Sequence, residues 1–110
     1  LQPGDARSFT GDAGELTLIY VDETYAIDGV NASAVTYEHD DRYVTDYFLE
    51  SAGDLEWYGR RGEWRAGRRG ETPRPVSLED DTVTFGDITI TLSPDGPTSV
   101  ETPDGVFRAD

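Results

Sequence analysis

Val83-Thr84-Phe85-Gly86-Asp87-Ile88-Thr89-Ile90-Thr91-Leu92 is the stretch that decides the fold. Val83 and Phe85 alternate with threonines, then Ile88, Ile90 and Leu92 alternate with Thr89 and Thr91. A period of two places one set of side chains on each face of a strand. Gly86-Asp87 interrupts the alternation, and glycine first in a two-residue loop suits a type II′ turn, because only glycine takes that positive φ cheaply. The stretch therefore reads as a β-hairpin.

The same grammar extends outward in both directions. Toward the C-terminus, Pro94-Asp95-Gly96 and Pro103-Asp104-Gly105 are turns around a weak strand near Val100 and a short one at Val106–Arg108. Toward the N-terminus, Leu16–Val21 is a continuous β-rich run, and Asp28-Gly29 is a turn before Val30. Residues 30–38 and 42–49 read as two arms around His39-Asp40-Asp41. In the second arm Tyr43, Thr45, Tyr47 and Leu49 share one face and Val44, Asp46 and Phe48 the other, so the apolar face also carries a carboxylate and the inward face stays open. Ser51–Asp54 is the next turn and Leu55–Tyr58 the next strand. Residues 1–14 are rich in turn formers, with Phe9 the one large candidate for burial, and residues 59–75 read as an Arg/Gly/Pro-rich loop or short hairpin anchored by Trp64.

No segment has a helical period. Strands every 8–12 residues with turns between them predict an all-β, antiparallel class. About eight strands in sequence order point to a meander forming a curved sheet, a small sandwich or a partial barrel. At 110 residues the chain is one domain, 1–110. A domain of this size buries roughly two-thirds of its unfolded surface.

Charge is distributed unevenly. Twenty-three carboxylates face nine cations, for a net charge of −14, and every cation is an arginine. Six of the nine lie between Arg60 and Arg74, where Gly-Arg-Arg-Gly-Glu occurs twice, at 59–63 and 67–71. Acidity of this degree with no lysine is expected as adaptation to salt, where screening makes self-repulsion tolerable. Cysteine is absent, so no disulfide, thiolate nucleophile or cysteine metal site is expected. No run of 18 apolar residues occurs, so nothing in the chain is expected to span a membrane.

The order of several short motifs resembles a group of uncharacterised bacterial secreted proteins and lipoproteins. The motifs are Leu1-Gln2-Pro3-Gly4, Phe9-Thr10-Gly11, Ile27-Asp28-Gly29-Val30, Asp46-Tyr47-Phe48, Gly53-Asp54-Leu55-Glu56-Trp57-Tyr58-Gly59 and Glu63-Trp64-Arg65-Ala66-Gly67. The resemblance covers about residues 1–70 and departs from the family pattern at Arg60-Arg61-Gly62, where a longer acidic insertion is usual. It implies a β fold and an extracytoplasmic place, secreted or lipid-anchored, with any membrane tether lying outside this chain. It brings no catalytic residues with it.

Chemistry is thinly represented. His39 is the sole imidazole, beside Asp40 and Asp41 in a turn, and no serine lies in a nucleophile elbow. Asp46, in an aromatic strand near Tyr43, Tyr47 and Trp57, is the most unusual carboxylate; the plain expectation is that it faces solvent or caps an arginine. Glu38-Asp40-Asp41 and Glu79-Asp80-Asp81 lack the Asp-x-Asp-x-Asp-Gly pattern of a calcium loop and read as solvated surface. No catalytic residue, cofactor or metal is expected, and the chain is read as a non-enzyme.

The sharpest functional candidate is the arginine stretch: Arg60, Arg61, Arg65, Arg68 and Arg69 with Trp57, Tyr58 and Trp64. Cations interleaved with aromatics suit an acidic protein or another anionic ligand; the strongly negative remainder argues against nucleic acid. The plainer reading has these arginines pairing with nearby carboxylates and stacking on the tryptophans. The expected function is a non-catalytic extracytoplasmic binding or structural module. The alternatives are a carrier of a small apolar ligand, marked by an elongated cavity between Trp57, Phe48 and Ile90, and a hydrolase-like enzyme.

Overall fold

The computed structural model describes residues 3–51 and 53–109. Leu1 and Gln2 of the opening motif and Ala52 of the Ser51–Asp54 turn lie outside the described residues. The chain forms one antiparallel, curled β-sheet, a half-barrel, with no helix among the described residues. Its strands are β1 (Ala6–Gly11), β2 (Gly14–Ile27), β3 (Val30–His39), β4 (Arg42–Ser51), β5 (Asp54–Arg60), β6 (Trp64–Arg65), β7 (Arg74–Pro75), β8 (Ser77–Glu79), β9 (Thr82–Phe85), β10 (Ile88–Ser93), β11 (Gly96–Thr102) and β12 (Gly105–Ala109).

The all-β expectation is met, but the described residues form twelve strands, not about eight. The deciding hairpin forms as read. Ile88 pairs with Phe85 and Ile90 with Val83, and Gly86 has a φ of 55° while Asp87 keeps an ordinary negative-side backbone. The difference in number comes from three two- or three-residue strands and from β1. Residues 6–11 are a strand, not loop: Ala6–Gly11 carries no β signal of its own, and its conformation is imposed by pairing with β2 on one side and β12 on the other. Phe9 is fully buried there. The approach at Gly11 is so close that a Cβ would run into the carbonyl of Val106.

That β1–β12 pairing makes the topology more than a simple meander. The order is β6-β5-β4-β3-β2-β1-β12-β11-β10-β9-β8, two meanders joined by the first and last strands. β7 pairs with β5, beyond which only Val76 separates it from β8. The chain thus steps from one end of the sheet to the other in a few residues, with the Val76 N–H donating to the Leu55 carbonyl at 3.3 Å. This step holds the sheet in its curl.

The inner face packs Phe9, Leu16, Leu18, Tyr37, Phe48, Trp57, Val76, Phe85, Ile88, Val100 and Phe107. Phe85 from β9 meets Phe48 and Trp57 from β4 and β5 edge-on, at ring-centroid distances of 4.8 and 5.4 Å, across the inside of the curl. Each such fully buried large side chain contributes about 1.5–3 kcal/mol. A second cluster (Ile27, Ala32, Ala34, Tyr47, Tyr58 and Ala66) lies on the opposite face of β3–β5. Ala66 belongs to the arginine segment, and its N–H donates to the Tyr58 carbonyl at 2.9 Å. The segment from 61 to 71 therefore folds over the outer face of the sheet.

Candidate functional site: an arginine-lined concavity

A β-bulge sets the position of the first arginine. In the β4–β5 ladder Phe48 faces Trp57 and Tyr47 faces Gly59, so Tyr58 is an extra residue. The extra residue shifts the parity of the strand, and Trp57 and Arg60 both turn inward. Opposite them, Asp46 is completely buried. It accepts from Arg60 Nε at 2.9 Å, from Arg60 Nη2 at 3.2 Å and from Trp57 Nε1 at 3.0 Å. Asp46 is thus an internal anchor for an arginine; of the two plain readings, exposure to solvent fails and capping of an arginine holds.

Burial pushes the Asp46 carboxyl above its ordinary range, while the Arg60 guanidinium and the indole N–H pull against that rise. Arg60 also reaches Asp87 at 3.5 Å. Its charge is therefore committed inside the fold.

The repeated pentapeptide has a structural meaning. In the first copy the Glu63 N–H donates to the Arg60 carbonyl at 3.0 Å; in the second the Glu71 N–H donates to the Arg68 carbonyl at 2.9 Å. Each copy closes the same four-residue turn. The turns differ in backbone: Gly62 alone is at positive φ in the first, whereas Arg69 (54°) and Gly70 (75°) both are in the second. A non-glycine residue in that region is held there by its surroundings. Here the Gly67 N–H to Glu71 carbonyl bond of 2.9 Å closes the loop around Arg69.

The two turns enclose a concavity of about 430 Å³ lined by Arg60, Arg61, Arg65, Arg68 and Arg69, with Glu63, Trp64 and Glu71. Apart from Arg60, its arginines fall into two groups. Arg61 donates through Nε to the Tyr47 hydroxyl at 2.9 Å and lies over the Tyr25 and Tyr47 rings; Arg65 lies 5.3 Å from the Tyr47 centroid. Arg74, just outside, stacks 3.9 Å from the Trp64 centroid and pairs with Glu71. These stackings involve tyrosines as well as the expected tryptophans, because the loop crosses the tyrosine-bearing outer face. Arg68 and Arg69, by contrast, are exposed, and their side chains make no hydrogen bond, ion pair or ring contact among the described residues.

Of the aromatic candidates, Trp57 and Tyr58 are buried in the two cores and offer no surface to a partner. Trp64 is half-buried at the rim of the main core, against Trp57, and its Nε1–H is buried without an acceptor among the described residues.

His39 lies elsewhere, with Nε2 2.9 Å from the Ala13 carbonyl and Nδ1 3.3 Å from Asp104. No group of three or more His, Cys, Asp or Glu side chains among the described residues is placed to hold a metal ion. Sequence reading did not single out Tyr37, Tyr25 or Asp87; their roles depend on which strands pair and on the bulge, which no local pattern announces.

Fold and site together define a small all-β half-barrel that carries a basic concavity at its β5–β6 edge on an otherwise acidic protein. A scan of protein-family models found no match, and searches of curated proteins and of solved structures found none either.

Proposed function

We propose that this chain is a non-catalytic binding module acting outside the cytoplasm, and that an acidic segment of a partner protein docks in the arginine concavity. The observation that carries the reading is the state of Arg68 and Arg69: two consecutive arginines whose side chains have no hydrogen-bond or ion-pair partner among the described residues, held by a closed turn at the rim of a concavity. Guanidinium forks engage carboxylates in pairs of parallel hydrogen bonds. The net charge of −14 does not forbid an acidic partner, because charges beyond about 8 Å are screened at physiological ionic strength. The extracytoplasmic place rests on the resemblance carried by the motifs of residues 1–70.

The test is binding of an octaglutamate peptide, followed by calorimetry, to the wild type and to the double substitution Arg68→Gln, Arg69→Gln. Arg60 is left intact because it holds Asp46. Saturable binding that the double substitution reduces at least tenfold, with an unchanged melting temperature, supports the reading. Equal binding by both proteins, or no binding by either, rejects it.

A further inference from the structure

We propose that the inner side of the curled sheet holds a second site, independent of the arginine concavity, that takes an apolar organic cation: a quaternary ammonium group at Glu50 with its aliphatic body inside the curl. Along β4 the inward positions are Val44, Asp46, Phe48 and Glu50, so two of the four are acids. Asp46 has its cation in Arg60. Glu50 is exposed, and its side chain makes no ion pair or hydrogen bond among the described residues. It lines a cavity of about 220 Å³ whose other walls include Tyr20, Tyr37, Phe48, Phe85 and Ile90. Phe48 and Ile90 are where an apolar cavity was expected; Trp57 does not line it, and Phe85 takes its place.

Charge selects the class of ligand. Glu50 is the one ionic group in the wall of this cavity among the described residues, and no arginine lines it. A carboxylate entering here meets a like charge, on a protein of net charge −14, with no cation to pair with. An ammonium group gains the Glu50 carboxylate instead. Four aromatic side chains line the same space, and aromatic rings attract cations, which is a general means of holding quaternary ammonium groups. A primary ammonium brings three N–H donors, and walls this apolar offer few acceptors for them. A quaternary ammonium has no donor to satisfy. Room for an apolar chain lies alongside. An adjoining cavity of about 480 Å³ shares Tyr20, Val35, Val83 and Ile90 and continues to Leu18 and Leu92; its one ionic wall residue, Asp95, is again an acid. A mostly apolar pocket with a few placed polar groups is the usual form of a small-molecule site.

The experiment titrates hexyltrimethylammonium, heptanol and heptanoate, each separately, into ¹⁵N-labelled protein. The amides of Ser33, Glu50 and Val83 are followed in the wild type, in Glu50→Gln and Glu50→Lys, and in Val35→Phe, which fills the wall common to the two cavities. Glu50 is exposed, so its two variants keep the fold and decide the matter even where Val35→Phe does not fold. Expected are saturable shifts with the cation, weaker binding of the alcohol and none of heptanoate. Glu50→Gln should weaken the cation about fivefold, the scale of one exposed ion pair, and leave the alcohol unchanged. Glu50→Lys and Val35→Phe should abolish cation binding. The double substitution Arg68→Gln, Arg69→Gln should bind the cation as the wild type does, which separates this site from the arginine concavity. Absence of saturable shifts, shifts scattered over the acidic surface, equal affinity for cation and alcohol, or undiminished cation binding by Glu50→Gln overturns the proposal.

Discussion

Asp46 and Arg60 meet on the inner face of the sheet, fork to carboxylate, at 2.9 and 3.2 Å, because the bulge at Tyr58 turns Arg60 toward the strand that carries the acid. A buried pair of this kind is costly to break and cheap to replace. Asp46→Asn removes the buried counter-charge of Arg60 and leaves it only the longer contact to exposed Asp87, and should lower stability by about 3–5 kcal/mol. The double substitution Asp46→Leu, Arg60→Met should lose much less than the sum of the single changes. Denaturant unfolding of the wild type, Asp46→Leu, Arg60→Met and the double substitution checks this, and additive losses would show that the two side chains do not act as a unit.

His39 ties β3 to two turns, through the carbonyl of Ala13 and the carboxylate of Asp104, and its ring meets Phe107 edge-on at 5.0 Å. The hydrogen bond to Ala13 is the largest cause of a pKa raised above the ordinary 6.5; burial is the next largest effect and opposes it, and Asp40 and Asp104 add to the rise. A raised value means the folded state holds the proton more tightly than the unfolded chain. The resulting stability is fully present below about 6.5 and disappears as pH rises through the folded value. Unfolding followed between about pH 5.5 and about pH 9 should show this decline in the wild type and not in His39→Gln. Parallel curves for the two proteins would remove His39 as the cause.

Gly86 has a φ of 55°, and a Cβ there would sit 2.9 Å from Cη2 of Trp57. Gly86→Ala therefore combines an unfavourable backbone with pressure on the ring whose indole N–H holds Asp46. A loss of about 1–3 kcal/mol is expected, with a displaced Trp57 indole resonance. A neutral substitution would mean that the β9–β10 turn does not rest on Trp57.

Much of this fold is legible in the sequence. The Val83–Leu92 alternation, the glycine of its turn and the Pro-Asp-Gly turns are local signals, and local signals survive into the structure. What escapes is set by distant partners. Ala6–Gly11 becomes a strand because β2 and β12 flank it, and no residue within it says so. Residues 14–27 form one strand because a register shift between Tyr20 and Thr24 absorbs the polar stretch Asp22-Glu23. The inward face of β4 could not be chosen from sequence because Asp46 shares it with Val44 and Phe48; its partner arrives through the parity change at Tyr58. For the site, the doubled pentapeptide marked the right segment. Its division into one anchored arginine, two stacked ones and two free ones required the sheet beneath it.

The acidity itself makes a prediction. With a net charge of −14 and carboxylates spread over most of the chain, self-repulsion opposes compaction. Raising salt from about 0.01 M to about 1 M shortens the Debye length from about 30 Å to about 3 Å. The melting temperature should climb across that range. A flat response would mean that repulsion is not a significant load on the folded state.

The docking claim is tested most directly by the two indole signals of the protein, which has two tryptophans. Trp57 is buried and its Nε1–H is engaged by Asp46 and by the Gly59 carbonyl, whereas the half-buried Trp64 ring lines the concavity. When octaglutamate is added, the Trp64 indole resonance and the amides of Gly67–Glu71 should move together and saturate, while the Trp57 indole stays in place. Saturating shifts that bypass Trp64 and the second Gly-Arg-Arg-Gly-Glu turn would contradict the account.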